Sequence, residues 1–320
     1  MKKYDVTALG ELLIDFTENG VSGNGNPILE ANPGGAPCNV LAMLQKLGHK
    51  TAFIGKVGKD SFGDYLQETV AGLGIDTDNL LRDEEIPTTL AFVHTAPDGD
   101  RSFSFYRNPG ADMMLKKTEI AYDRLKDTRI FHFGTLSMTH EDVREATKAA
   151  VACASEGGAL ISFDPNYRPL LWKDEGLARE MMRYGFECCD ILKIADDEIL
   201  FYTGANTVEE AIMQFRQRHR PTLMCVTLGR EGSIAFYKDL RVQRKAVLRE
   251  DTIETTGAGD TFLACVLHTV LEQGIDNLTE AGIDDMLRLA GTAAAIITTR
   301  KGALRVMPTR EEITAALTDR

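Results

Sequence analysis

Three short apolar runs punctuate residues 130–193: Ile130-Phe131-His132-Phe133, Ala159-Leu160-Ile161-Ser162-Phe163 and Ile191-Leu192-Lys193. Each is strand-sized and bounded by polar or glycine residues. Between them the pattern turns helical, predicting one helix from about Thr139 to Glu156 and another ending before Cys189. Strand, helix, strand, helix, strand is the βαβ arrangement of a parallel sheet with helices on both faces. The pattern continues outward. Tyr4–Leu9 and Thr51–Gly55 read as strands, and Asn39–Leu47 and Ser61–Leu73 as helices, the second with Asp60 as its N-cap. Downstream, Val208–Arg218 reads as a helix and Thr222–Thr227 as a strand. The fold class is α/β, a three-layer α/β/α core around a mostly parallel sheet.

Two stretches break the alternation. Residues 11–33 carry apolar residues at every second position (Leu12, Ile14, Phe16) and then a Gly/Asn-rich loop. Residues 87–108 alternate over Thr88–His94 and Ser102–Arg107, with a turn at Pro97-Asp98-Gly99, which is a hairpin pattern. Together they predict a small accessory sheet projecting from the core. Such a sheet serves as a lid, and its open edges invite pairing with a second copy of the chain. The plain alternative is a pair of surface hairpins with no role.

The chain has 320 residues, with 36 basic against 48 acidic side chains and a net charge of −12. That balance speaks against nucleic acid or an anionic membrane as the main partner. The 43% hydrophobic content suits a packed core without metal or disulfide staples. None of the six cysteines forms a C-x-x-C pair, so they read as reduced, structural residues. No apolar run of 18 residues occurs, and the N-terminus leads straight into a strand. A cytoplasmic protein is expected.

The most informative motif is Glu254-Thr255-Thr256-Gly257-Ala258-Gly259-Asp260-Thr261-Phe262. A Gly-x-Gly turn runs directly into an amphipathic helix. The first N–H groups of that helix lack intrahelical partners and carry the positive end of its dipole, which makes an anion site. A carboxylate at its edge, Asp260, is unsuited to holding phosphate but suited to taking a proton from a hydroxyl that attacks phosphorus. The competing reading is a tight turn with Asp260 capping the helix. No Walker motif is present, and Phe262 replaces the third glycine of a dinucleotide fingerprint.

Other loops add to this. Asn32-Pro33-Gly34-Gly35-Ala36-Pro37-Cys38-Asn39 precedes a helix and offers neutral donors to a polyhydroxylated ligand. Asp15 follows the first strand and can accept two hydroxyls. Asp164-Pro165-Asn166-Tyr167-Arg168 and Thr227-Leu228-Gly229-Arg230-Glu231-Gly232 close two further strands, at the end where open α/β sheets bind ligands.

Taken together, these residues resemble the ribokinase-type (PfkB) carbohydrate kinases over essentially the whole chain. One signature runs from Gly34-Gly35-Ala36-Pro37-Cys38-Asn39 to Gly55-Lys56-Val57-Gly58-Lys59-Asp60; the other is Thr255 through Phe262. Phe105-Tyr106-Arg107-Asn108-Pro109-Gly110 and Thr88-Thr89-Leu90-Ala91-Phe92 look most like bacterial and plant fructokinases. The resemblance implies a single ribokinase-like kinase domain over 1–320 that moves phosphate from ATP, with Mg2+, to the hydroxyl at carbon six of fructose. Asp260 would be the base, with Gly257, Ala258 and Gly259 as the anion hole. Asp15, Gly34, Gly35 and Asn39 would hold the sugar, with Arg107 arriving from the lid and Asn166 and Arg168 lining the site. Lys193, Thr227, Gly229 and Gly232 would face the nucleotide, and Glu198 the magnesium through water. Glu254 replaces the usual aspartate of a potassium site, leaving K+ open, and Ala195 and Gly291 replace polar residues near the metal and the adenine. A homodimer through the lid is implied. The alternatives are a kinase for 2-keto-3-deoxygluconate or another sugar, a non-catalytic sugar-binding regulator, and, least fitting, a dinucleotide-dependent oxidoreductase.

Overall fold

The computed structural model of the chain describes residues 2–95 and 101–318. Thirteen strands are formed by these residues: β1 (Tyr4–Leu9), β2 (Leu13–Val21), β3 (Pro27–Gly34), β4 (Thr51–Gly58), β5 (Asp76–Asp83), β6 (Leu90–Thr95), β7 (Arg101–Tyr106), β8 (Thr128–Gly134), β9 (Leu160–Asp164), β10 (Ile191–Ala195), β11 (Leu223–Thr227), β12 (Ser233–Tyr237) and β13 (Leu240–Arg244). The helices are α1 (Ala36–Lys46), α2 (Ser61–Gly72), α3 (Tyr122–Leu125), α4 (Glu141–Glu156), α5 (Glu175–Cys188), α6 (Asp196–Thr203), α7 (Val208–Arg218), α8 (Ala258–Gln273), α9 (Glu280–Ile297) and α10 (Arg310–Thr318).

Nine strands form one sheet in the order β13-β12-β11-β10-β9-β8-β1-β4-β5. Strands β8 to β11, β1, β4 and β5 run parallel, and the β12–β13 hairpin is antiparallel. Successive side chains on a strand point to opposite faces, so each central strand feeds two cores. On β10, Ile191 joins one core and Leu192 and Ile194 the other; on β11, Leu223 and Cys225 separate in the same way from Met224 and Val226. Helices α1, α2, α8 and α9 cover the first face, and α4, α5 and α7 the second. Burial on both faces explains why these strands read as continuous apolar runs.

The strand order reverses between β1 and β8: β1 pairs with β4 on one side and with β8 on the other. Such a switch point opens a crevice beyond the C-terminal strand ends. Out of that crevice the chain builds the second sheet, of order β3-β2-β6-β7, from the two stretches anticipated above.

Several boundaries move. α1 begins at Ala36, three residues before Asn39, since Pro37 is tolerated in a first helical turn. β4 runs on to Gly58, and α4 starts at Glu141 because Thr135–Met138 form a separate 3₁₀ turn. The expected turn at Pro97-Asp98-Gly99 lies outside the described residues. β5 is not evident from the sequence pattern: Asp76, Asp78, Arg82 and Asp83 give it a charged edge, which also blunts pairing with other chains. All six cysteines are unpaired.

Asp60 ties α2 to the segment entering β6. Its carboxylate accepts from Gly63 N, Thr88 N and Thr88 Oγ1, each at 2.8 Å. Partial burial pushes this carboxyl up, but those hydrogen bonds outweigh it and hold the group below its ordinary value. The stabilisation is therefore present above the unfolded carboxyl's pKa and disappears as pH falls through the folded one. Asp60→Ala is expected to cost about 2–3 kcal/mol in urea unfolding at neutral pH. The gap to wild type should shrink below about pH 4; a pH-independent gap would refute the carboxylate's part in it.

Candidate active site

A cavity of about 660 Å³ opens at the C-terminal strand ends, between the two sheets. Four structural sources meet there. The β1–β2 connection supplies Glu11 and, on β2, Asp15; the β3–α1 junction supplies Gly34, Gly35 and Asn39; β9 and β10 supply Asn166, Arg168 and Lys193; the start of α8 supplies Gly257, Gly259 and Asp260.

The α8 turn has the geometry its glycines require. Gly257 has φ 75°, and a Cβ there would stand 2.9 Å from the Ala303 methyl. A Cβ on Gly259 would stand 3.2 Å from Lys193 Nζ, so the ammonium lies against the helix start. Ala258 behaves differently from expectation. Its N–H already donates to Thr255 O at 3.2 Å, and it does not line the cavity. Beside it, the N–H groups of Gly257, Gly259 and Asp260 are the ones at the helix start without intrahelical partners.

Asp260 is held by Asn39, whose Nδ2 donates to Asp260 Oδ2 at 2.8 Å across 221 residues of sequence. The Asn39 Oδ1 is buried without a protein partner. Burial raises the Asp260 carboxyl to about 6; Asn39 opposes that rise, Asp164 adds to it, and Lys193 and Arg168 oppose it.

Lys193 is buried and bridges to Asp164, at 3.0 and 3.2 Å from its two oxygens. Burial alone would lower the ammonium's pKa, but Asp164, Glu198 and Asp260 around it raise it well above the usual range. Glu198 is also buried. Its Oε1 accepts from Tyr167 N and its Oε2 from Ala195 N, both at 2.8 Å. Burial raises this carboxyl and Lys193 draws it back. Asn166 takes a left-handed conformation, φ 43°, which asparagine tolerates, and its N–H donates to Asp164 Oδ1.

At the other end, burial raises Asp15 to about 7, while Arg168 opposes the rise and Glu254 adds to it. A Cβ on Gly34 would come within 2.3 Å of Asp15 Oδ2, so only glycine lets this carboxylate lie across β3. Glu11 is a cavity residue the sequence reading missed. It is buried, accepts from Ala36 N at 2.9 Å, and burial raises it to about 7. The signal was available: Glu11 follows the end of β1 just as Asp15 does.

The structure does not bring Arg107 to the cavity. Its guanidinium is buried elsewhere, donating to Asp112 Oδ2 (2.8 Å), Thr139 Oγ1 (2.9 Å) and Leu136 O (3.0 Å). A charge so fully paired anchors the hairpin base to the core; it does not reach out of the lid. Cys38 points into the apolar core from α1, and burial pushes its thiol well up, so it is no cavity nucleophile. Thr227, Gly229 and Gly232 sit one strand beyond the cavity wall: Thr227 pairs in register with Ala195, which does line it. Glu254 Oε1 accepts from Gly302 N at 2.8 Å, joining two loops beside α8.

A buried carboxylate thus stands at a helix N-terminus, beside an ammonium and beneath a second sheet, at the place where the motifs anticipated the site of a carbohydrate kinase. The model of the pfkB family carbohydrate kinases matches residues 3–310. The chain belongs to this family. A relative described as probable fructokinase-4 of Arabidopsis thaliana is 36% identical over 318 residues, covering 99% of this chain and 97% of its own. Among solved structures, fructokinase from Xylella fastidiosa with bound ATP superposes with a TM-score of 0.90 at 31% identity, covering 100% of this chain and 99% of that one. Fructokinase from Vibrio cholerae with fructose, ADP and a calcium ion gives 0.88 at 27% identity, covering 98% and 99%. The ribokinase-like α/β fold is thereby established.

Asn39 is the donor that most directly restrains Asp260. In Asn39→Ala, the Asp260 carboxyl should titrate at higher pH than in wild type, followed by 13C NMR of its carboxyl carbon. An unchanged midpoint would show that the hydrogen bond does not hold the carboxylate in its ionised form.

Proposed function

We propose that this pfkB-family kinase phosphorylates fructose at carbon six, with ATP as donor. The observation that carries the reading is Asp260: a carboxyl poised at about 6, oriented by Asn39, at the N-terminus of α8. At neutral pH it is ionised yet basic enough to accept a proton. In this reading the sugar's C6 O–H bond breaks and its proton passes to Asp260. The oxygen bonds to the γ-phosphorus as the bond from that phosphorus to ADP breaks. The N–H groups of Gly259 and Asp260, with Gly257 turning the chain toward them, stabilise the charge on the transferring group, and Lys193 and Arg168 add positive potential. Asp15, Gly34, Gly35 and Asn39 receive the sugar, the unpaired Asn39 Oδ1 accepting one hydroxyl. The fructokinase relatives and the fructose-bound neighbour support this choice of ketose.

Magnesium accompanies ATP, and the residues present suit it. Asp164, Glu198 and Asp260 surround Lys193, leaving a net negative wall that favours a hard cation. Both oxygens of Glu198 are engaged by backbone N–H groups, so its contact would run through water. The ion supplies charge neutralisation on the phosphates. Glu254 is tied to Gly302, and the reading places potassium outside the chemical step.

The small sheet acts as the lid of this kinase domain, closing over sugar and ATP to exclude water that would otherwise attack the donor. Val21, Ile28 and Leu29 and the ring of Tyr106 are exposed on it. They fit pairing with the same sheet of a second copy. The free cysteines suit a reducing compartment such as the cytoplasm.

A panel of sugars with ATP and Mg2+, read by ADP release, should single out fructose and yield fructose 6-phosphate. Asp260→Ala should lose at least about 10²–10⁴ in kcat while fructose still binds by calorimetry. Near-normal turnover in that variant would remove Asp260 as the base, and a preference for another sugar would overturn the substrate. Light scattering should give twice the 35.3 kDa chain mass; a monomer would exclude lid pairing.

A further inference from the structure

Far from the cavity, two histidines separated by 219 residues of sequence meet edge to edge. His49 Nε2 and His268 Nδ1 are 2.7 Å apart, with the rings tilted by 59°. His268 and Glu272 stand one turn apart on α8 and share a face. One ligand atom from each of His49, His268 and Glu272 lies within 4.8 Å of the other two. His49 itself is buried in the α1–β4 connection, where its N–H donates to Leu44 O and closes α1.

We propose that His49, His268 and Glu272 form a binding site for a divalent transition metal that clamps the far ends of α1 and α8. Two imidazole nitrogens and one carboxylate oxygen select Zn2+, Co2+, Ni2+ or Cu2+ over Mg2+ or Ca2+. Tetrahedral zinc needs its nitrogen ligands about 3.3 Å apart, so the rings part by roughly half an ångström. Asp5 Oδ2, 3.7 Å from His49 Nδ1, favours the tautomer with hydrogen on Nδ1 and turns the Nε2 lone pair toward His268. Burial lowers the pKa of both imidazoles, so neither carries a second proton to release, and the hydrogen on His268 Nδ1 in the 2.7 Å contact moves to its Nε2 as the metal enters. Glu272 is exposed, so its carboxylate can turn toward the ion, and water completes the shell.

The charged surroundings are balanced. Asp5 on β1 and Glu272 on α8 favour a cation; Arg129 on β8 and Arg310 on α10 oppose it. Arg129 is engaged with Asp5 and Leu271 O, and Arg310 with Leu47 O. His268 lies eight residues beyond Asp260, about 12 Å along the helix, so the metal is distinct from the phosphate chemistry. It joins the two helices whose opposite ends hold Asn39 and Asp260.

The test uses the full chain without an affinity tag or nucleotide. Co2+ should bind one per chain with visible d–d absorption, be displaced by Zn2+ and ignore excess Mg2+. Zn2+ should also raise the melting temperature. His268→Gln and Glu272→Gln should each weaken Co2+ binding at least tenfold. Glu272→Gln changes only an exposed side chain, so it decides the matter if the histidine variant fails to fold. Absence of saturable Co2+ absorption, or binding of equal strength in Glu272→Gln, would overturn the site.

Discussion

One buried ammonium governs the electrostatics of the cavity. Lys193 stands among Asp164, Glu198 and Asp260, three carboxyls that a water-poor wall could not hold ionised together. Its bridge to Asp164 ties down the end of β9, and its ammonium lies against Gly259 in the first turn of α8. Removing it would leave uncompensated buried charge, whose cost exceeds the worth of the ion pair itself. The acidic balance of the chain as a whole is therefore compatible with an anionic substrate. In the proposed kinase the positive groups offered to the phosphates are Arg168 and the N–H groups at the start of α8, with Lys193 holding the carboxyls around it in balance.

Topology brings these groups together. The reversal of strand order at β1 and β8 leaves a crevice, and both excursions into the second sheet leave from the same strand ends. Asp15 and Asp260 thus face one cavity although 245 positions separate them in the chain.

Much of this was legible from local pattern. Strand-helix alternation showed the sheet, since buried parallel strands are uniformly apolar. The glycine-rich start of α8 and the loops after β1 and β9 marked the ligand end, while the loop after β11, marked in the same way, lies one strand beyond the cavity. What local pattern does not show is which partner a charge will choose. Arg107 lies in a segment that looks like a substrate arm, yet Asp112, five residues on, captures it with help from Thr139. Ala258 sits in the anion-hole motif, but a turn bond to Thr255 consumes its N–H. Cys38 lies within a ligand loop by sequence, while the helical twist turns it into the core. Pairs such as His49 and His268 exist only after folding.

β3 passes into α1 through Gly35 alone, at φ 131°, where a side chain would strike Glu11 O at 2.3 Å. Strand and helix are thus joined at a bare pivot with no slack. Any tilt of the small sheet would therefore bear directly on the first turn of α1, which contains Asn39. In the proposed kinase, the placement of the sugar and the set of Asp260 would then share one mechanical coordinate. A substitution that enlarged the sugar end by shifting β3 would also detune Asp260, so new specificities are more accessible through side-chain exchange on β2 than through movement of the strand beside it.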